Sequence, residues 1–163
     1  MISIIMGQQA LAANTTLCLA DEHDYFSCHI AQSNKVISIC GSLPDTADKD
    51  LQYRFGLPNN VEFVYPQSLK NGGDKFYFAE YVRSKVTKQS LHFKNKSYVY
   101  VVEVNSDAEE QPSQFEAIVS VEGPKSVTLS CKPKSFKGID SAISNITKCD
   151  PDSALNIGKC VKK

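Results

Sequence analysis

Leu51-Gln52-Tyr53-Arg54-Phe55, Gly56-Leu57-Pro58-Asn59-Asn60 and Val61-Glu62-Phe63-Val64-Tyr65 follow one another as two alternating runs around a cluster of turn formers. Strict alternation places every second side chain on one face of an extended strand. Folding the runs around a five-residue loop sets Phe55 opposite Val61, Tyr53 opposite Phe63 and Leu51 opposite Tyr65. Six apolar side chains then share a face, and Arg54 lies opposite Glu62 on the other. A one-residue slip would break both matches, so the pattern predicts a hairpin of defined register.

The same logic extends in both directions. Leu91 and Phe93 face Tyr100 and Tyr98 if Asn95-Lys96 turns the chain, with Val102 and Val104 continuing the stripe. Ala117, Val119 and Val121 face Cys131, Leu129 and Val127 across Glu122-Gly123-Pro124-Lys125-Ser126, which points Cys131 inward. Residues 76–86 read as one long strand, and residues 26–30 with 35–40 as an N-terminal pair. Helical spacing enters only late, at Ile139, Ala142, Ile143 and Ile146, with Asp140 or Ser141 as the cap. Asp150-Pro151-Asp152 reads as the opening of a second short helix through Asn156. The fold class that follows is mainly β: an antiparallel sandwich or barrel of about seven to nine strands, with one or two short C-terminal helices.

The chain has 163 residues, 42% hydrophobic and 22% charged, which suits a single globular domain. Eighteen basic residues balance eighteen acidic ones, and this disfavours a nucleic-acid binder, whose affinity rests on a basic excess. The charge is segregated, however. Residues 21–74 hold eight acids against four bases, and residues 123–163 hold eight lysines against three acids. No segment approaches the roughly 20 apolar residues of a membrane span.

Residues 1–13, MISIIMGQQALAA, end in a small-x-small pattern at Ala10-Leu11-Ala12, as in a secretory signal. The basic flank is missing and the apolar run is short, so the expectation is the remnant of a signal peptide whose start lies upstream, followed by one domain over residues 14–163. Six cysteines agree with export: Cys18, Cys28, Cys40, Cys131, Cys149 and Cys160. They allow up to three bridges in fifteen connectivities, and no pair has the close spacing of a zinc site. No metal and no cofactor is expected.

The catalytic templates fail one by one. Asn71-Gly72-Gly73-Asp74 is a turn rather than a phosphate loop, and no G-x-S-x-G elbow exists. Among three histidines, His23 sits between Asp21, Glu22 and Asp24, while His29 and His92 fall on strands. Asp45, Asp48 and Asp50 lack the glycine and glutamate of a calcium loop. What remains is recognition chemistry. Arginine occurs only at Arg54 and Arg83; Tyr81 and Arg83 share a strand face. Arg54, Glu62, Tyr81 and Arg83 therefore form the candidate binding patch, because Arg and Tyr combine large area with directed hydrogen bonds.

The strings FSCHI, KVISICGS, LQYRFG and VEFVYP, within residues 26–66, resemble a group of small secreted proteobacterial proteins that brings no activity or ligand with it. The resemblance implies an envelope location. Together these readings point to a periplasmic or secreted non-enzymatic domain that binds another protein, as an inhibitor or immunity factor against a cell-wall-targeting enzyme. The alternatives are an envelope-polymer hydrolase with carboxylates assembled from distant strands, and a structural or accessory subunit of an envelope assembly.

Overall fold

A computed structural model describes residues 16–157, 159 and 160. The expected signal remnant, residues 1–13, lies outside the described residues. Among the latter the backbone forms two sheets facing each other. The first is ordered β1-β2-β3-β4, from β1 (His23–His29), β2 (Val36–Gly41), β3 (Leu51–Leu57) and β4 (Asn60–Tyr65). The second comprises β5 (Phe76–Arg83), β6 (Val86–Asn95), β7 (Tyr98–Asp107), β8 (Gln114–Glu122), β9 (Val127–Ser130) and β10 (Lys148–Cys149), ordered β10-β5-β6-β7-β8-β9. All pairings are antiparallel except β10 with β5. The mainly β sandwich expected from the alternation is what forms.

The alternation also fills the core. Ile37, Ile39, Leu51 and Tyr53 of the first sheet meet Leu91, Phe93, Val102, Val104 and Val119 of the second, all at most 2% exposed. Burying each such side chain contributes about 1.5–3 kcal/mol. Four rings interleave across the gap. Phe63 stacks on Tyr100 at 5.2 Å, Tyr100 on Phe93 at 4.7 Å, and Phe93 on Tyr65 at 4.6 Å.

Two hairpin registers differ from the expectation by two residues, which preserves the faces. The first turn is only Pro58-Asn59, so Phe55 pairs with Phe63 and Tyr53 with Tyr65. A bulge beside Gly56 then sets Gly56 against Val61. The extra residue reverses the alternation and leaves Val61 exposed. Gly56 is required there: its φ is +151°, and a Cβ would meet Asn60 O and Glu62 N at 2.6 Å. Arg54 consequently lies opposite Val64, not Glu62. The second turn is Lys96-Ser97, so Phe93 pairs with Tyr100 and Leu91 with Val102. The third register is as read, with Val119 opposite Leu129 and Val121 opposite Val127.

The single strand expected over residues 76–86 is instead the end of β5, a Ser84-Lys85 turn and the start of β6, with Arg83 opposite Val86. The helical spacing around Ile143 yields a 3₁₀ turn, Ser141–Asn145, capped by Asp140 Oδ1 accepting from Ala142 N at 3.0 Å. A 3₁₀ turn at Ala154–Asn156 is capped by Ser153 rather than by Asp150. Asp150 Oδ1 accepts from Asp152 N in a preceding turn.

All six cysteines are bridged, as Cys18–Cys40, Cys28–Cys131 and Cys149–Cys160. Cys28 is on β1 and Cys131 follows β9, so this bridge joins edge strands of the two sheets. Beside it Ile30 and Cys131 form an antiparallel bridge. Ala31 N donates to Ser130 O at 2.8 Å, and Lys132 N to His29 O at 2.8 Å. The sandwich is thus nearly closed along one side.

Candidate functional site

The four residues singled out for binding do not converge. Arg54 is buried on the outer face of the first sheet, beneath a strap formed by residues 16–22. Its Nη1 and Nη2 donate to the two Glu22 carboxylate oxygens at 2.6 and 2.7 Å, and Nη1 also to Leu17 O at 3.0 Å. Its Nε donates to Gln52 Oε1 at 3.0 Å. The Cys18–Cys40 bridge pins the same strap. Burial pushes the Glu22 carboxyl up, but hydrogen bonds from Arg54 and Leu19 N outweigh it and hold the group below its usual range. Arg54 is a fastening of the strap, with Glu22 where Glu62 was expected.

Glu62 instead pairs with Lys35 at 2.7 Å on the rim. Tyr81 and Arg83 do share the outer face of β5, on the other sheet. Arg83 donates to Glu109 at 2.6 Å, and Lys159 Nζ lies 5.9 Å from the Tyr81 ring centre.

Catalytic geometry is equally dispersed among the described residues. His23 Nε2 and Asp140 Oδ2 are 2.8 Å apart, and His92 Nδ1 and Asp150 Oδ2 are 3.3 Å apart. Neither imidazole is hydrogen-bonded to a hydroxyl or thiol that could serve as nucleophile. The Ser27 hydroxyl bonds Asp24, Thr16 and Ser38 instead. One cluster has ligand-like proximity, Cys18, Glu22 and Cys40, but its two sulfurs are joined to each other and Glu22 is held by Arg54.

Among the described residues a pocket of about 660 Å³ opens between β1 and the segment that follows Cys131. His23, Asp24, Tyr25, Phe26 and Ser27 line one wall, and residues 134–138 with Asp140 line the other. Three local devices hold that second wall. The Cys28–Cys131 bridge anchors its start. Gln89 clamps its far end, accepting from Ile139 N at 2.8 Å and donating to Ile139 O at 2.6 Å. Phe136 is buried and lies 4.8 Å, ring to ring, from Phe115.

The ends of the pocket are closed by hydrogen bonds to β1. Lys132 N donates to His29 O, and His29 N donates to Ser135 Oγ at 3.2 Å. At the other end Asp140 N donates to Tyr25 O at 2.9 Å, next to the His23–Asp140 pair. Between these ends lies Ser27. Ile30 N donates to Lys35 O, toward β2, so by strand alternation Cys28 and Phe26 bond β2 while Ser27 turns its N–H and C=O outward. Among the described residues nothing facing Ser27 across the pocket bonds either group. Burial, and then the nearby Asp140 charge, pushes the Tyr25 hydroxyl up to about 12. Burial also raises the Asp140 carboxyl, but Ala142 N–H and His23 outweigh this and lower it.

The pocket was not legible in the sequence, since its walls lie more than 100 residues apart and only the inward reading of Cys131 hinted at their meeting. No helix among the described residues is long and apolar enough to cross a membrane. Three bridges are those of a protein that matures in an oxidising compartment. Compared with known proteins, the chain matches no family model, no curated sequence and no solved structure.

Proposed function

We propose that this chain is a non-enzymatic protein-binding domain that works in the periplasm or outside the cell, and that it grips its partner at the pocket between β1 and residues 134–140. The observation that carries this reading is the open main chain of Ser27 in one wall of a concavity whose walls are cross-linked. A pre-organised wall loses little freedom on binding, and edge-strand backbone groups supply directed hydrogen bonds to another polypeptide. The pocket volume lies in the range that accepts a few side chains or a chain end. Its carboxylates, its imidazole and its serine hydroxyls are in hydrogen bonds that hold shape, which favours recognition over bond-breaking.

In a bacterial envelope such a domain acts as an inhibitor or immunity factor against an enzyme that attacks the cell wall. The test is affinity capture from envelope extract with the bridged protein, run in parallel with the doubly substituted Lys134→Glu/Lys137→Glu form. A partner held by the native chain and released by the variant, with no peptidoglycan breakdown by the purified protein, is the expected result. Equal capture by both forms would remove the pocket from the interface, and turnover of peptidoglycan would replace binding by hydrolysis.

A further inference from the structure

We propose that the open position at Ser27 receives the C-terminal residue of a partner polypeptide, whose terminal carboxylate is the group recognised. This rests on the pocket being the contact site. In an antiparallel pairing a single residue exchanges both of its main-chain hydrogen bonds with the residue opposite. Ser27 offers one such exchange and no more. Its neighbours in the outward-facing set, Tyr25 and His29, are already bonded to Asp140 N and to Lys132 N and Ser135 Oγ.

A chain that continued extended in both directions would collide with those contacts. A chain that stops opposite Ser27 avoids the Tyr25–Asp140 contact, and its preceding residues, which run toward His29, turn out of the strand line to the pocket mouth. Its last amide N–H donates to Ser27 C=O, and one carboxylate oxygen accepts from Ser27 N–H. The second oxygen faces ammonium groups from the opposite wall. Lys134 and Lys137 line that wall, and among the described residues neither has a carboxylate within ion-pair distance. The acids in the pocket are engaged. Asp24 accepts from Ser27 Oγ through both oxygens at 2.8 and 2.9 Å, and Asp140 is held by Ala142 N and His23. Charge-assisted bonds to a carboxylate are the stronger kind, so the terminus outweighs an internal peptide group.

The experiment uses the full, bridged chain and a random dodecapeptide library tethered through its N-termini, screened once with free C-terminal carboxylates and once with amidated ones. Peptides that bind with a free terminus are expected to lose about tenfold or more on amidation. The same loss is expected against Lys134→Glu/Lys137→Glu and against Ser27→Pro. The proline removes the N–H, which β2 does not use, and edge strands tolerate it. Circular dichroism and the mass of the three-bridge species check that each variant is folded. Equal binding of amidated peptides, an affinity unmoved by Ser27→Pro, or a library without binders overturns the proposal. If an envelope partner is lost by the lysine variant yet is still captured after carboxypeptidase trimming, the chain end is wrong while the pocket stands. If capture ignores the lysines, the site itself is wrong.

Discussion

Cys28 and Cys131 stand with their Cα atoms 5.7 Å apart, and the residue two beyond Cys28, Ile30, pairs antiparallel with Cys131 itself. One covalent link and one backbone bridge thus hold the same corner of the sandwich. That corner is also the root of the pocket wall. A cross-link spanning 103 residues of sequence restricts the unfolded chain more than the other two bridges.

The doubly substituted Cys28→Ala/Cys131→Ala protein should therefore lose about 4–5 kcal/mol, the chain-entropy figure for a loop of this size. Urea unfolding would read this as a lower midpoint. The same variant should bind its partner more weakly than its remaining stability explains, because the wall over residues 132–138 loses its anchor. An unchanged midpoint would show that the backbone bonds alone close the corner.

The strap over the first sheet makes a pH prediction. The Glu22 carboxyl in the folded chain titrates below its usual 4.5. A group whose folded pKa is depressed contributes stability that is complete above its unfolded pKa and disappears as pH falls through the folded value. The native protein should hold its stability down to about pH 5 and lose it progressively below. Glu22→Gln should be less stable at neutral pH by about 3–5 kcal/mol, since Arg54 is then buried without its counter-charge. Its acid-side slope should be shallower. Glu22→Leu with Arg54→Met should recover much of the loss, because apolar replacement of both partners removes the stranded charge. Melting curves from pH 3 to pH 7 on the three proteins separate these outcomes.

At the bulge, Gly56→Ala should cost about 1–3 kcal/mol, as a strained backbone position does when the needed freedom is removed. Thermal unfolding measures the loss. Gly41→Ala, where a Cβ would meet Asp50 O at 2.3 Å without a positive φ, tests close approach alone. A Gly56→Ala protein as stable as the native chain would mean that the bulge relaxes into the two-residue shift it now interrupts.

That bulge also shows what sequence reading reaches. Alternation fixed the faces: Tyr53, Phe55, Phe63 and Tyr65 all pack at the core as their spacing requires. Register was another matter. Pro58-Asn59 suffices for the turn where four of five successive residues are turn formers, and shifts of two keep every face, so pattern cannot distinguish them. Ser84-Lys85 turns without Gly, Pro, Asn or Asp, Lys85 taking φ +65°, and residues 76–86 thus read as unbroken. Arg54 and Glu22 meet from strand and strap, 32 residues apart, and no local rule pairs them. The pocket depends on still longer separations. Between Gly123 and Ser126, where a short turn joins two strongly patterned strands, the register was legible in full.

The C-terminal bridge should be the first to open. Cys149 is exposed and Cys160 half-buried, whereas Cys28 and Cys40 are fully buried. Thiol–disulfide exchange needs access to a sulfur, so a dithiol reductant under native conditions should reduce Cys149–Cys160 while the other two bridges persist. Mass measurement after alkylation would identify the modified pair. The loop it closes carries Asn156, whose amide stands in for a neighbouring strand along the β5 edge: its Nδ2 donates to Phe78 O at 3.0 Å and its Oδ1 accepts from Glu80 N at 3.3 Å. Opening the bridge should accordingly speed hydrogen exchange at Glu80 N–H, leaving amides bonded to β6 protected. Asn156→Ala should produce the same local change with the bridge intact. If Glu80 exchanged at its native rate in both cases, the amide would not be what shields that edge, and a later-opening Cys149–Cys160 would show that access is not what orders the three bridges.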